Sequence, residues 1–135
     1  MEIFSIDNIA STADKWTDKT ILIVEDVESN YQFLAATLRR SGAKLVWARQ
    51  GEDAIEMIKN GQNFDLVLMD VQLAGMDGYE ATSNIKLLRP ELPIIAQTAY
   101  AMVGEKEKSH LAGCDEYLAK PIRPSLLIQT ISKYL

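Results

Sequence analysis

Short apolar runs alternate with segments of helical periodicity along most of this chain. The runs have the length of β-strands and lie at residues 20–24, 45–48, 66–69, 94–97 and 116–119. The segments between and after them place apolar side chains at helical spacing, near residues 29–40, 52–59, 78–89, 101–111 and 124–134. Five strands that alternate with five helices predict an α/β fold, in which helices cover both faces of a parallel sheet.

Capping and terminating residues indicate where several helices begin and end. Asp77 precedes the third helical segment and can accept a hydrogen bond from its first turn, while Glu80 can reach back. That helix must end before Pro90, because the residue before a proline avoids helical geometry. Gly42 and Gly113 are expected to end the first and fourth helices.

The first 19 residues carry little periodicity and close with a polar stretch that contains Trp16. We interpret residues 1–19 as a leader or interdomain linker and residues 20–135 as the domain. Two arrangements of Trp16 are left open: the indole docks on the domain, or it belongs to a flexible tail.

Composition narrows the class of protein. The chain has 135 residues, of which 47% are hydrophobic, and this suits one globular domain. Its formal net charge is -5 and it has no basic run, which argues against direct binding of nucleic acid. No apolar stretch approaches the roughly 20 residues needed to span a bilayer, and the N-terminus does not resemble a signal peptide. We therefore expect a cytoplasmic protein that does not insert into membranes.

Polar side chains directly follow four of the apolar runs. Glu25 and Asp26 follow the first run, Asp70 the third, Thr98 the fourth and Lys120 the fifth. If the runs are parallel strands, these groups emerge at one edge of one sheet, where open α/β folds bind their ligands. Three carboxylates, a hydroxyl and an ammonium suit a divalent metal and a phosphoryl group. The acidic pair alone would more often be a solvated loop, but a third acid at the same edge favours Mg²⁺.

The chemistry open to these residues is phosphoryl transfer. Asp70 could be a metal ligand, a nucleophile that forms an acyl phosphate, or both. Lys120 could pair with phosphoryl oxygens or with Asp70, and the peptide bond to Pro121 could be cis. Thr98 could donate its hydroxyl to a phosphoryl oxygen or simply end a strand.

At this point the chain resembles the receiver domain of two-component response regulators, over about residues 20–135. The resemblance rests on four motifs that are highly specific in combination. They are Glu25-Asp26, Asp70-Val71-Gln72 leading to Met76-Asp77-Gly78, Thr98-Ala99, and Tyr117-Leu118-Ala119-Lys120-Pro121. The fold that it implies is flavodoxin-like (CheY-like), a five-stranded parallel sheet of order 2-1-3-4-5.

The resemblance also implies roles for individual residues. Asp70 would accept a phosphoryl group from a histidine kinase or a histidine phosphotransfer protein. Glu25 and Asp26 would hold Mg²⁺, with Asp26 the preferred direct ligand, and the backbone carbonyl of Gln72 would complete the protein's ligands. Thr98 and Lys120 would contact the phosphoryl oxygens.

A conformational switch is the expected output. Tyr117 matches the aromatic position that moves with the threonine, and the changed face of helix four, strand five and helix five would then bind a downstream protein target. Gln72 and Tyr100 each lie two residues beyond a site position, so we expect them to overhang the phosphoryl group and set its lifetime.

Several features lie outside this scheme. The family often has Met-Pro where this chain has Leu73-Ala74, and the loss of that proline should loosen the loop after strand three. We expect His110 to be a surface or helix-end residue and Cys114, the single cysteine, to be a small buried one.

Three other classes of protein share part of this pattern. A small phosphatase with an aspartyl-phosphate intermediate is the main alternative, but such enzymes commonly need an acid where this chain has Gln72. A flavin carrier shares the fold but needs a phosphate loop after strand one, and an inactive scaffold would lack part of the site. The sequence is most like receivers of hybrid histidine kinases; a stand-alone protein and a weak homodimer are left open.

Overall fold

Five strands and five helices alternate through the chain in a computed structural model that describes residues 13–99 and 104–135. The strands are β1 (Thr20–Val24), β2 (Lys44–Ala48), β3 (Leu66–Asp70), β4 (Ile94–Thr98) and β5 (Glu116–Ala119). The helices are α1 (Glu28–Leu38), α2 (Gly51–Lys59), α3 (Gly78–Leu88), α4 (Glu105–Ala112) and α5 (Pro124–Ser132). A 3₁₀ helix, Arg39–Ser41, extends α1. The α/β alternation predicted from the sequence is therefore confirmed.

The five strands form one parallel sheet in the order β2-β1-β3-β4-β5. This is the expected flavodoxin-like order, with β1 and β3 as neighbours near the centre. Val24 pairs with Met69 across β1 and β3, and Asp70 pairs with Gln97 across β3 and β4. Because all strands run the same way, their carboxyl ends meet at one edge, and the residues that follow β1 and β3 lie side by side there.

The core has two layers, one on each face of the sheet. Alternate residues of β1 and β3 point to opposite faces, which is the two-residue period of a strand. One layer packs the sheet against α2 and α3 through residues that include Val24, Met69, Ala54 and Ile85. The other packs it against α1 and α5 through residues that include Ile23, Leu68, Leu34 and Leu127. Asp70 lies two residues after Leu68 in β3, so its side chain points to the same face of the sheet, the face covered by α1 and α5.

The ends of α3 follow the sequence signals and those of α4 do so only in part. The Asp77 carboxylate accepts a hydrogen bond from the Glu80 N–H at 2.9 Å and so caps α3. Helix α4 ends at Gly113 as expected and begins at Glu105, whereas the predicted start near residue 101 lies outside the described residues. Gly104 has φ of 94°, a left-handed conformation that interrupts a helix and that glycine tolerates.

Trp16 lies in the core of the domain. Its side chain is only 2% exposed and packs in the α1 and α5 layer. The backbone N–H of Trp16 donates to the Ser41 carbonyl at 2.8 Å, and the backbone N–H of Asp14 donates to the Arg40 carbonyl at 2.8 Å. Of the two arrangements left open by the sequence, the docked indole is the one found; the domain start at residue 20 stays a prediction.

His110 and Cys114 have the structural places expected for them. His110 is exposed in the last turn of α4. Cys114 is buried, and burial raises the pKa of its thiol to about 11, so the thiol is neutral and weakly reactive at physiological pH. None of the helices within residues 13–99 and 104–135 is long and apolar enough to cross a membrane.

Candidate functional site

Three carboxylates converge where β1 and β3 end. Glu25 is fully buried, Asp70 is 2% exposed and Asp26 is half-buried. One oxygen from each of Glu25, Asp26 and Asp70 lies within 4.8 Å of the others. The central pairing of β1 with β3 brings these acids together, as the sequence predicted.

Lys120 reaches the same cluster from the end of β5. Its Nζ lies 3.5 Å from Glu25 Oε1 and 3.4 Å from Asp70 Oδ1. The peptide bond from Lys120 to Pro121 is cis, one of the two forms open to it. One ammonium faces three carboxylates, so the cluster has a formal charge of -2 when all are ionised. A divalent cation with a preference for oxygen ligands would balance that charge, so the residues present fit a metal such as Mg²⁺.

Burial and repulsion between the carboxylates change the pKa of Glu25. Burial and, after it, the neighbouring charge of Asp70 together raise the pKa of this carboxyl group to about 7, although the charge of Lys120 opposes the shift. Desolvation penalises the charged form of a buried acid, and a second acid nearby adds repulsion. The cluster is therefore stabilised by a shared proton or by a bound cation.

Trp47 on the edge strand β2 holds the backbone of the acidic pair. Its indole Nε1–H donates to the Glu25 carbonyl at 2.8 Å. The indole stacks on Tyr31 of α1 with ring centroids 4.1 Å apart and planes 3° from parallel. The Arg49 guanidinium carbon lies 4.0 Å from the Trp47 ring centroid, within the range of a cation–π contact. The stack thus ties the start of α1 and the end of β2 to the acid-bearing turn.

The loop after β3 is tied to two of the acids. The Gln72 N–H donates to Asp70 Oδ1 at 3.0 Å, and the Ala74 N–H donates to Asp26 Oδ2 at 3.0 Å. A proline at position 74 has no N–H and could not make the second bond. The sequence analysis did not predict this hydrogen bond. It links the loop directly to Asp26 at the position where a proline would have restrained the backbone.

Gly78 brings the start of α3 close to the acceptor strand. A Cβ built at this position would collide with the Asp70 carbonyl oxygen, and the Gly78 N–H donates to the Val71 carbonyl at 3.2 Å. Only glycine permits this approach, which explains the glycine that follows the Asp77 cap.

Thr98 and Tyr117 lie on neighbouring strands, where Tyr117 pairs with Ala96, two residues before Thr98. Thr98 is buried at the end of β4, where its carbonyl accepts from the Lys120 N–H at 2.7 Å. Tyr117 is half-buried in β5, where burial and the nearby charge of Glu105 raise the pKa of its phenol. Tyr100, expected to overhang the site, lies outside the described residues.

Comparison with known proteins identifies the family. The model of the response regulator receiver domain matches residues 21–132. The chain belongs to this family. It is 38% identical over 120 residues to the polar-differentiation response regulator DivK of Brucella ovis, covering 87% of this chain and 96% of that protein.

Solved receiver domains are similar in structure as well. The receiver domain of the sensor histidine kinase PA1611 from Pseudomonas aeruginosa, solved with a magnesium ion coordinated in its active-site cleft, is 35% identical with a TM-score of 0.78; the match covers 86% of this chain and 96% of that one. A CheY-like receiver protein from Methanospirillum hungatei is 30% identical with a TM-score of 0.79, over 85% and 91% of the two chains.

Sequence reasoning missed three parts of this receiver domain. From the sequence, Trp47 could be recognised only as a strand residue, and Ala74 only as a position where the family often has proline. Gln97 read as the last residue of an apolar run, yet it pairs with Asp70 and is 1% exposed. Gln97 lies two residues after Ile95 in an otherwise apolar strand, and this spacing could have shown that its polar side chain is buried.

We predict that Trp47→Phe weakens the support of the acidic turn in this receiver domain. The ring that stacks on Tyr31 is kept in part, but the N–H donor to the Glu25 carbonyl is lost, at a cost of about 1 kcal/mol. Urea unfolding should show this loss, and the amide signals of residues 25–27 should shift.

Tyr31→Phe is the matched control, because it keeps the stacked ring and removes only the hydroxyl. It should leave both measurements near wild type. The interpretation is wrong if Trp47→Phe is as stable as wild type and its amide signals at residues 25–27 do not move.

Proposed function

We propose that this receiver domain is a phospho-accepting switch in two-component or phosphorelay signalling, with Asp70 as the phosphoacceptor. The observation that carries the proposal is the Asp70 carboxylate, buried at the end of β3 with Lys120 Nζ at 3.4 Å and two further acids beside it. Receiver domains as a family interact with histidine kinases or histidine phosphotransfer proteins, and one of these is the proposed phosphodonor.

The chemistry is a displacement at phosphorus. An Asp70 carboxylate oxygen forms the new O–P bond while the N–P bond of a phosphohistidine breaks, and the electron pair returns to the imidazole, which takes up a proton. Lys120 pairs with the phosphoryl oxygens and offsets part of the charge that they bring. Thr98 donates its hydroxyl to one of those oxygens.

Glu25, Asp26, Asp70 and the backbone carbonyl of Gln72 are the groups that would hold Mg²⁺, with Asp26 as the direct ligand of the acidic pair. When bound, the ion supplies positive charge that neutralises the transferring phosphoryl oxygens. The formal charge of -2 at the cluster supports this assignment, and so does the magnesium ion in the similar receiver domain of PA1611.

The output is a change of surface. A phosphoryl group adds roughly -1.5 to -2 charges and several acceptor oxygens. Thr98 moves toward it, Tyr117 moves into the space that is left, and the face formed by α4, β5 and α5 changes for a downstream protein target. The protein is therefore a switch that turns over only its own phosphoryl group. Gln72, in place of a second acid, argues against a phosphatase that acts on other substrates.

The proposal also covers the location of the switch and the kind of protein to which it belongs. A cytoplasmic location follows from the proposed phosphodonors. The similarity to the receiver domain of a sensor histidine kinase supports a place within a hybrid kinase, and the similarity to DivK supports a separate response regulator.

We predict that acetyl phosphate with Mg²⁺ adds one phosphoryl group to the wild-type protein, because Asp70 is the only proposed nucleophile. Intact mass spectrometry should detect the adduct, and EDTA should prevent it. Asp70→Asn should carry none, whereas Asp53→Asn, an exposed acid on α2, should behave as wild type. A stable adduct on Asp70→Asn would place the acceptor elsewhere.

We predict that Thr98→Ala uncouples phosphorylation from the switch. Without the hydroxyl, the phosphoryl group cannot draw residue 98 and make room for Tyr117. The amide signals of α4 should then shift on phosphorylation in wild type and Thr98→Ser, but by much less in Thr98→Ala. Equal shifts in phosphorylated wild type and Thr98→Ala would refute the coupling.

We predict that Tyr100→Ala shortens the phosphoryl lifetime several-fold, because a bulky side chain two residues after Thr98 would obstruct the attacking water. Decay of the adduct by intact mass measures the rate, and Tyr100→Phe, which keeps the ring, should decay as wild type. An unchanged rate in Tyr100→Ala would show that this side chain does not shield the site.

A further inference from the structure

Asp26, the acid assigned above as the direct ligand of Mg²⁺, is restrained at two points by uncharged donors. The indole Nε1–H of Trp47 donates to the Glu25 carbonyl at 2.8 Å. That carbonyl and the N–H of Asp26 belong to one planar peptide group, so the hydrogen bond fixes the plane from which the Asp26 side chain leaves the backbone. At the other end, the Ala74 N–H donates to Asp26 Oδ2 at 3.0 Å.

These two hydrogen bonds leave Asp26 able to bind a cation. An ionised carboxylate has about four lone-pair positions, and the Ala74 N–H occupies one of them. Asp26 is half-buried rather than fully buried, and one of its oxygens lies within 4.8 Å of oxygens of Glu25 and Asp70. The restrained carboxylate is therefore accessible and already lies beside the other two acids.

The Trp47 donor is itself held in place. Its ring stacks on Tyr31 with centroids 4.1 Å apart, and the Arg49 guanidinium carbon lies 4.0 Å from the ring centroid. A side chain that is already packed loses little further freedom when a ligand binds nearby, which is the advantage of a preorganised site. The restraint on the Glu25 carbonyl therefore exists before any metal arrives.

We propose that Trp47 and Ala74 are positioning residues that give this site its preference for Mg²⁺ over Ca²⁺. The inference rests on the proposed function, because it concerns the metal site assigned there. Mg²⁺ requires nearly ideal octahedral geometry with oxygens at about 2.1 Å, whereas Ca²⁺ accepts flexible arrangements at about 2.3–2.6 Å. A carboxylate that is fixed beforehand suits the smaller and more demanding ion. Freedom of the Asp26 carboxylate therefore penalises Mg²⁺ more than Ca²⁺.

The neutrality of both donors separates geometry from charge. The cluster of three carboxylates and one ammonium has a formal charge of -2, and it attracts either divalent ion. The loss of an indole N–H or a backbone N–H leaves that charge unchanged. The ratio of the Mg²⁺ and Ca²⁺ affinities therefore reports the positioning of Asp26 and not the strength of the attraction.

The test is titration of the unphosphorylated protein with Mg²⁺ and, separately, with Ca²⁺, followed through the backbone amide signals of Asp26 and Val27. Trp47→Phe keeps an aromatic ring without the donor, and Ala74→Pro removes the backbone N–H. Each variant should bind Mg²⁺ roughly threefold to tenfold more weakly, the worth of one hydrogen bond. Ca²⁺ binding should weaken much less, so the preference for Mg²⁺ should fall.

Two controls separate positioning from general destabilisation. Trp16→Phe makes the same substitution at a buried tryptophan whose indole nitrogen has no hydrogen-bond partner among residues 13–99 and 104–135. It should lower the urea midpoint of unfolding and leave both metal affinities as in wild type. Ala74→Ser, at an exposed position, keeps the backbone N–H and should also bind both ions as wild type does.

An unchanged ratio of Mg²⁺ to Ca²⁺ affinity in either Trp47→Phe or Ala74→Pro would overturn the inference, because both contacts restrain Asp26. The same fall in that ratio in Trp16→Phe would assign it to lost stability and would also overturn the inference. If wild type binds Mg²⁺ and accepts a phosphoryl group in these cases, the proposed function stands without the inference. Wild-type protein that binds neither ion would contradict the metal site of the proposed function as well.

Discussion

The candidate site is built around the close approach of Glu25 and Asp70, two buried acids that share the Lys120 ammonium. Neither carboxylate can move away, because each directly follows or ends a central strand whose register is set by the packed sheet. Lys120 offsets only part of the repulsion between the two carboxylates, so the pKa of Glu25 stays raised. A site with this excess of negative charge can take up a cation and then a phosphoryl group, so the repulsion between the carboxylates supports the proposed chemistry.

The surrounding elements keep that contact in place. Trp47 supports the turn after β1 from the edge strand, the N–H groups of Gln72 and Ala74 bind the carboxylates from the loop after β3, and Gly78 lets α3 begin against Asp70. The groups that make these contacts are backbone N–H groups, a glycine and the Trp47 indole, and none of them carries a charge. The charge at the site is therefore set by four side chains, while its geometry is set by neutral groups.

Periodicity and the position of polar residues after apolar runs were enough to predict the strands, the helices, the parallel sheet and the meeting of Glu25, Asp26, Asp70 and Lys120. Strand period and the common edge of parallel strands are local rules, and they suffice for this. Knowledge of the tertiary structure was needed to see that Trp47 donates to the Glu25 carbonyl, that the Ala74 N–H links its loop to Asp26, and that the Gln97 amide nitrogen is buried with no hydrogen-bond partner among the described residues. Each of these depends on register, on which face a side chain takes and on distances between segments far apart in the chain, which no local pattern encodes.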